Sequence, residues 1–548
     1  MAADDQEKRG GVARTAKRAA VGLGGLALGL GALTAVLTPG QPAAQPAQVP
    51  SEEPAQAASA PGDPALIARG KHLVDVGDCT ACHTGNGRQP LSGGYYMDMP
   101  FGQISTPNIT PDKETGIGNY TDEQFIRVFH EGVNARGQNL YPAMPYPWYK
   151  RVRNDDILAI KAYLFSLTPV HAPREPNKIY FPFTIRPLIA VWNWVLVKNG
   201  EFKPNPNASD LVNEGDYIVN GFEHCGECHN KRLLLGTIGL EDALQGGVID
   251  RWSTPNITSH PQGLGRYTDD QLFEYLKTGA AQGMGTAVGP MRDTVGHSLS
   301  KLDDNEIRAI IAYLRTQSRG SGYFPGGTVE ESASAMRGTN VYLSMCSSCH
   351  QPDGNGIKGQ VPSLANNGLV TAAGPQSVIN VVLRGVEAHG SYGPMPGLGA
   401  GMSDQQIADV TNYVRRAWGN GAPANAGGEV VALVREVSQT LMNNERLQGC
   451  PLVADEALWN AISDPSSGIT QMLHDMTLET MLPTVDKIVA KVKSLAPQAK
   501  QADIVNSLTI AYCPIVAQND KISGDQKVWD LTHFSVRVYT QLTTSGKY

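Results

Sequence analysis

The chain has 548 residues, a formal net charge of −7 from 45 Lys and Arg against 52 Asp and Glu, and 41% hydrophobic residues. That length allows about three to four domains, the hydrophobic fraction excludes a disordered acidic chain, and the acidic balance argues against a nucleic-acid binder, whose domains are usually basic. The 59 glycines and 36 prolines are many for a globular chain, yet they lack the period of collagen.

Residues 1–40 read as a membrane anchor or signal. Lys8, Arg9, Arg14, Lys17 and Arg18 precede an uncharged run from Ala19 to Leu37. As a helix this run would extend about 28 Å, near the ~30 Å hydrocarbon core. The preceding cations keep the N-terminus cytoplasmic and place the remainder on the periplasmic side of the inner membrane. The long basic stretch and the Pro/Ala-rich tether that follows, 41–64, favour an uncleaved anchor; a cleaved signal peptide is the competing reading. No second apolar stretch of that length occurs, which excludes a polytopic transporter.

Beyond the tether the chain repeats itself. Ser105-Thr-Pro-Asn-Ile-Thr110 recurs as Ser253-Thr-Pro-Asn-Ile-Thr258, and the segment from Gly116 to Phe125 recurs from Gly263 to Leu272, at an offset of 147 residues. A diverged third copy without the Thr-Pro-Asn element begins near Ala335. The pattern predicts a mainly α protein with three tandem domains at 65–170, 208–320 and 326–420. Each has a leading helix, a cysteine pair, Gly/Pro-rich loops and a closing helix (156–166, 303–316 and 403–418). Apolar residues such as Ile307, Ile310, Ile311 and Leu314 recur at helical spacing, and Ser300 and Ser403 read as N-caps. A domain of about 100 residues so rich in Gly and Pro needs a large apolar group at its centre.

Six of the eight cysteines supply that group's attachment. Cys79 and Cys82, Cys225 and Cys228, and Cys346 and Cys349 form three Cys-x-x-Cys pairs, each followed directly by a histidine: His83, His229 and His350. Cysteines three apart lie on one side of a helical turn, where each can form a thioether to a porphyrin vinyl group while the adjacent imidazole reaches the iron. This is the attachment signature of c-type haem, so three covalently bound haem c groups are expected, with no disulfide inside the pairs. A zinc site would need four ligands, and a thioredoxin-like pair would occur once, between a strand and a helix.

The repeat also points to the second axial ligands. At the same offset Met144 falls on Met291, each 12 residues after a glycine that ends a short helix, Gly132 and Gly279; Met395 lies 10 after Gly385. By contrast His130 falls on Lys277 and Met284 on Gly137, Met97 and Met99 have no methionine counterparts, and Met402 is expected to pack. Paired ligation by His83 and Met144, His229 and Met291, and His350 and Met395 fills every iron position and raises the reduction potential. Such irons carry electrons and do no bond chemistry. The Thr-Pro-Asn elements read either as haem-wall or propionate contacts or as Asn turns after a fixed proline. His171, His224, His260 and His297 read as surface or structural. No phosphate-binding loop, dinucleotide Gly motif or Ser/His/Asp arrangement marks a catalytic site.

Two segments lie outside the repeats. Residues 171–207 hold an apolar, Pro-interrupted stretch from Phe181 to Val197, too short to span a bilayer. It reads as an interfacial helix or docking surface, with Trp192 and Trp194 at a membrane boundary or partner seam, or else as a buried linker helix over one domain. Residues 429–548 read as a helical extension without a cofactor motif. Cys450 and Cys513 are expected to form a disulfide there, and Met472, Met476 and Met481 to share a core-packed helix face.

The three Cys-x-x-Cys-His sites, Thr106–Thr110 and its copy at 254–258, Tyr141-Pro-Ala-Met-Pro145, Phe181-Pro-Phe183 and Gly289-Pro-Met291 together resemble the three-haem cytochrome c subunits of membrane-bound dehydrogenases. These are known from acetic acid bacteria, where they serve alcohol, gluconate, sugar and aldehyde oxidation. The likeness runs from about Pro64 to Asn420. It implies class I-like cytochrome c domains and the ligands named above. It also implies a separate catalytic subunit holding PQQ, flavin or molybdenum, in some complexes a small third subunit, and ubiquinone as acceptor. Residues 429–548 depart from the short end of such subunits, which leaves the partner open and favours a less typical complex such as a molybdenum-type aldehyde dehydrogenase. A multihaem peroxidase and a cytochrome arm of a terminal oxidase are the rival readings.

Overall fold

The computed structural model describes residues 62–544 except 86, 100, 197–199, 232–242, 250, 318–327 and 444–455. The expected anchor run, Ala19–Leu37, lies outside the described residues. Among those described, no helix is long and apolar enough to cross a membrane.

Three helix pairs organise residues 62–420. The leading helices are Pro64–Val76, Asp210–Tyr217 and Ala333–Met345; the closing helices are Asn154–Ser166, Asp304–Thr316 and Asp404–Arg416. One small residue explains each crossing. A Cβ on Gly70 would lie 1.9 Å from the Ala159 carbonyl oxygen, one on Gly215 2.0 Å from that of Ala309, and one on Gly338 2.0 Å from that of Asp409. Backbone therefore packs directly on backbone, and the Cβ atoms of Tyr163, Tyr313 and Tyr413, one turn further on, close the same three crossings.

The helix ends follow from local chemistry and correct two expectations. Pro64, the expected last residue of the tether, is the first helical residue: Asp63 accepts a hydrogen bond from Ala65 N–H (2.9 Å), and a proline in the first turn has no N–H to leave unpaired. Ser403 caps the third closing helix in a reciprocal box with Gln406, as expected. The second is capped by Asp303 with Glu306, not by Ser300. Ser300 sits one turn earlier in a short 3-10 helix, Leu299–Lys301, too far from the orphan N–H groups.

One apolar core runs through the first two units, with Val74, Phe129 and Ile157 from one and Phe222, Leu272 and Ile307 from the other. The third unit has its own core, including Tyr342, Ile379, Ile407 and the expected packing residue Met402. The extension forms another, built by Glu456–Ser463, Ile469–His474, Met481–Leu495, Gln501–Ala517 and Gly524–Thr544. Met476 and Met481 are buried in it and Met472 packs against it, as expected of core residues, but they do not share a helix face: Met472 lies in the helix Ile469–His474, Met476 in the loop after it, and Met481 opens the helix Met481–Leu495. Cys513 is fully buried there; Cys450 lies outside the described residues.

Candidate haem-binding sites

Each Cys-x-x-Cys-His run ends on a single helical turn: Cys79–His83, Gly226–His229 and Ser347–His350. All three imidazoles meet the same partner. Nδ1 of His83 lies 2.8 Å from the Pro107 carbonyl oxygen, Nδ1 of His229 2.8 Å from that of Pro255, and Nδ1 of His350 3.2 Å from that of Pro362. A carbonyl can only accept, so Nδ1 carries the proton. Burial holds all three rings below the usual histidine range, against the opposing pull of the proline carbonyls. A neutral ring protonated at Nδ1 has its lone pair on Nε2, which is the state an iron ligand requires.

The proline carbonyls are fixed by the turns around them, and the Thr-Pro-Asn elements form the Asn turns expected of them. Asn108 Oδ1 accepts from the backbone N–H and hydroxyl of Thr110 at 2.9 and 2.8 Å; Asn256 does the same with Thr258 at 2.8 and 2.7 Å. The asparagine makes the turn, and the proline before it orients the histidine. In the third unit Pro362 plays this part without the motif. A proline downstream of each histidine was the only signal of this shared role, and the differing spacings hid it.

None of the six cysteines is in a disulfide in this structure. Burial is the main force pushing Cys79 and Cys82 up to about 12 and Cys346 up to about 11, and Cys225 moves the same way. Among the described residues no group of three or more His, Cys, Asp and Glu side chains converges as a metal site would require. The donor set fits covalent haem: cysteines three apart and outside any disulfide, then a neutral imidazole fixed at Nδ1.

The methionines lie in loops or at a helix start. Met144 precedes the short helix Tyr146–Tyr149, Met291 is second in the helix Pro290–His297, and Met395 bridges back to Val386. Met144 and Met291, like Cys79 and Cys225, pack against the shared core. The rejected candidate His130 and its counterpart Lys277 have structural work: His130 bonds the Val152 carbonyl and Lys277 that of Leu302. The other histidines are structural or at the surface too. His260 closes its own turn onto Gln262 N–H, and half-exposed His171 lies near Asp112 and Glu114.

The first two sites adjoin. Trp148 donates to Glu227 (2.8 Å), and a Cβ on Gly226 would strike its ring at 2.4 Å. Tyr149 donates to the Gly77 carbonyl (3.0 Å) and packs on His224 with ring centres 5.7 Å apart. Ser298 lies 2.9 Å from the Val76 carbonyl and 2.5 Å from Glu223. A hydroxyl has one proton, so the second comes from the carboxyl: Glu223 donates to Ser298, which donates to Val76. Burial accordingly pushes Glu223 up to about 8, and it pushes nearby Asp78 up to about 7.

Residues 171–207 lie over the first methionine loop. Tyr141 donates to the Phe183 carbonyl (2.9 Å), Tyr146 to Asn193 (2.6 Å), and Arg186 to the Asn139 carbonyl (2.8 Å). Outward, Tyr180, Phe181, Phe183, Leu188 and Val191 are exposed. The segment thus covers the first domain, as the linker reading has it, but it is not buried: it presents an exposed apolar strip as well.

A cytochrome c family model matches residues 67–168 and 335–418. The chain is 36% identical to the gluconate 2-dehydrogenase cytochrome c subunit of Pantoea cypripedii, over 68% of this chain and 90% of that one. It is 36% identical to the cytochrome c subunit of the alcohol dehydrogenase (quinone) of Gluconobacter oxydans, over 68% and 83%. It is 38% identical to one of the nicotinate dehydrogenase subunits of Pseudomonas putida over 66% of this chain, but spans only 31% of that protein. With cytochrome c domains, free cysteine pairs and oriented imidazoles, the polypeptide carries covalently bound haem c for electron transfer, and it belongs to the family of cytochrome c subunits of bacterial dehydrogenases.

Proposed function

We propose that this chain is the three-haem electron-transfer subunit of a dehydrogenase complex. It takes electrons from a catalytic partner holding PQQ, flavin or molybdenum, with a small third subunit in some complexes, and delivers them to ubiquinone at the periplasmic face of the inner membrane. The observation that carries this reading is the threefold recurrence of one arrangement, a Cys-x-x-Cys-His turn whose histidine Nδ1 is held by a proline carbonyl. Three tandem cytochrome c domains, 65–170, 208–320 and 326–420, follow from it. Residues 1–40 anchor them, and the exposed strip around Phe181 and Leu188 rests on the membrane surface. Cys450 and Cys513 form the one disulfide.

In each domain the two cysteines would hold the haem by thioethers, and the residues that would ligate its iron are His83 and Met144, His229 and Met291, and His350 and Met395. Bound haem supplies one-electron iron chemistry. The protein's part is to fix the imidazoles through Pro107, Pro255 and Pro362, and to keep the first two sites adjacent through Trp148 and Tyr149.

Intact-mass measurement combined with a redox titration tests this. The expected result is a mass of the chain plus three haems, and three low-spin, one-electron centres. A mass with fewer haems, or rapid peroxide binding at one centre as in a peroxidase, overturns it. Copurification with a copper–haem oxidase in place of a dehydrogenase would transfer the chain to the other end of the respiratory chain.

A further inference from the structure

Each of the first two methionine loops is covered by a segment from later in the chain. Residues 171–207 cover the first. The second is covered by the third unit: Glu387 pairs with Arg292, and His389 bonds the Thr278 carbonyl beside Gly279. The third loop meets residues 429–548 instead. The extension, absent from the resemblance that covers the rest, occupies that place.

The third loop is a hairpin. Val386 and Met395 exchange backbone hydrogen bonds at 2.9 and 2.8 Å, and His389 and Tyr392 do so at 3.0 and 2.9 Å. The extension grips this hairpin at its tip and on both sides of the methionine. Ala388, at the tip, is fully buried in the extension's own core, and its carbonyl accepts from Asn506 (2.8 Å). Gly393 and Gly397 flank Met395. A Cβ on Gly393 would lie 2.5 Å from the Tyr539 ring, and one on Gly397 2.9 Å from Val528, so side chains of the last helix occupy both spaces. The Gly397 N–H donates to the Thr532 hydroxyl (2.8 Å), which in turn donates to the Val528 carbonyl (2.8 Å). Val528, Thr532 and Tyr539 are four and seven residues apart, which places them on one face of the helix Gly524–Thr544.

We propose that the C-terminal extension positions Met395 as the sixth ligand of the third haem. Asn506, Thr532 and Tyr539 act as positioning residues that hold the 386–397 hairpin and close that side of the site to competing ligands. The inference rests on His350 and Met395 ligation as read above. It gives the extension a task in electron transfer: maintaining the third iron's sulfur ligand and the high potential that ligand confers.

The test is the double variant Asn506→Ala, Thr532→Val in the full-length protein, with Met395→Ala as spectral reference and Thr543→Val as the control. Thr532→Val keeps shape and removes the acceptor for a buried N–H, a loss worth about a factor of ten in the stability of the held loop. The double variant is expected to keep three haems by mass and to lose about a third of the far-red methionine-to-iron charge-transfer absorption. It should also bind imidazole at one iron roughly tenfold faster, while Thr543→Val, an exposed position on the same helix, stays close to the parent. Should the double variant not accumulate, the single variant Thr532→Val serves through its imidazole binding rate. Three haems with undiminished charge-transfer absorption and an unchanged imidazole rate overturn the proposal alone. A parent protein with fewer than three haems, or no spectral change in Met395→Ala, overturns the ligation reading beneath it.

Discussion

The first two units and the third share a helix crossing and a histidine geometry, yet they are joined in different ways. Between units one and two the contact is a continuous apolar core with polar groups at its edge: one core serves both, Trp148 and Tyr149 of the first pack against Gly226 and His224 of the second, and His72 meets Glu306 (2.7 Å). Between units two and three it is polar. Ser377 donates to the Ser253 carbonyl (2.8 Å), Asn380 to the Arg251 carbonyl (2.8 Å), and Tyr267 to the Asn366 carbonyl (2.9 Å). A repeated fold can thus be fused through its core or docked through its backbone groups. Fusion makes one rigid pair of sites, whereas docking leaves the third site a body with its own core and its own covering extension.

The strongest way to break this comparison is to overfill one crossing in each body. Gly215→Val would drive a side chain into the Ala309 backbone, and Gly338→Val into that of Asp409. Each should cost about 3 kcal/mol or more, because backbone cannot yield as a side chain can. Calorimetry of the haem-loaded protein should show Gly215→Val lowering the melting of units one and two together while the third unit's transition holds. Gly338→Val should do the reverse. A Gly215→Val protein in which unit one melts as in the parent would mean that the shared core does not couple the two.

Next in size is the aromatic bridge. Trp148 is nearly buried and fills the space a side chain at Gly226 would take. Trp148→Ala should destabilise the fused pair by roughly 3 kcal/mol and leave the third unit's melting in place. Equal loss in both transitions would contradict the division into two bodies.

Much of this architecture was legible in the sequence because it rests on strong, local signals. The Cys-x-x-Cys-His runs, the repeat offset and the periodicity of residues such as Ile307 and Ile310 gave the units and their closing helices. Met402 and the extension's methionines were read as packing residues, and they are. The proline carbonyls escaped notice because a backbone oxygen leaves no trace in residue identity, and Pro362 stands outside any shared motif. The crossing glycines Gly70, Gly215 and Gly338 escaped because one glycine in a glycine-rich chain carries no mark. The interfaces between units could not be read at all: they depend on contacts such as Ser298 with Val76, 222 residues apart.

The buried acids at the fused seam give a subtler test. Glu223 is pushed up to about 8 and Asp78 to about 7, in both cases chiefly by burial. The unfolded chain releases these protons near pH 4. The folded state therefore binds more protons between pH 4 and 8, so stability falls as pH rises through that window and levels off above it. Glu223→Gln should match the parent at pH 4 and exceed it at pH 8, with the remaining slope, due to Asp78, ending near pH 7. The effect belongs to the melting of units one and two; a pH slope confined to the third unit would place the acids at the wrong seam.

The smallest effect is expected where the two bodies meet. Arg292 and Glu387 form an ion pair across the polar seam, with side chains 23% and 33% exposed. Pairs of this exposure contribute about 0.2–1 kcal/mol and weaken with salt. Glu387→Gln should therefore lower the third unit's melting only slightly at low ionic strength, and the difference from the parent should vanish as salt is raised. The fused pair should be indifferent to both the substitution and the salt. If Glu387→Gln instead cost as much as Trp148→Ala, the seam between units two and three would be held by buried charge, and the contrast between fused and docked domains would have to be redrawn.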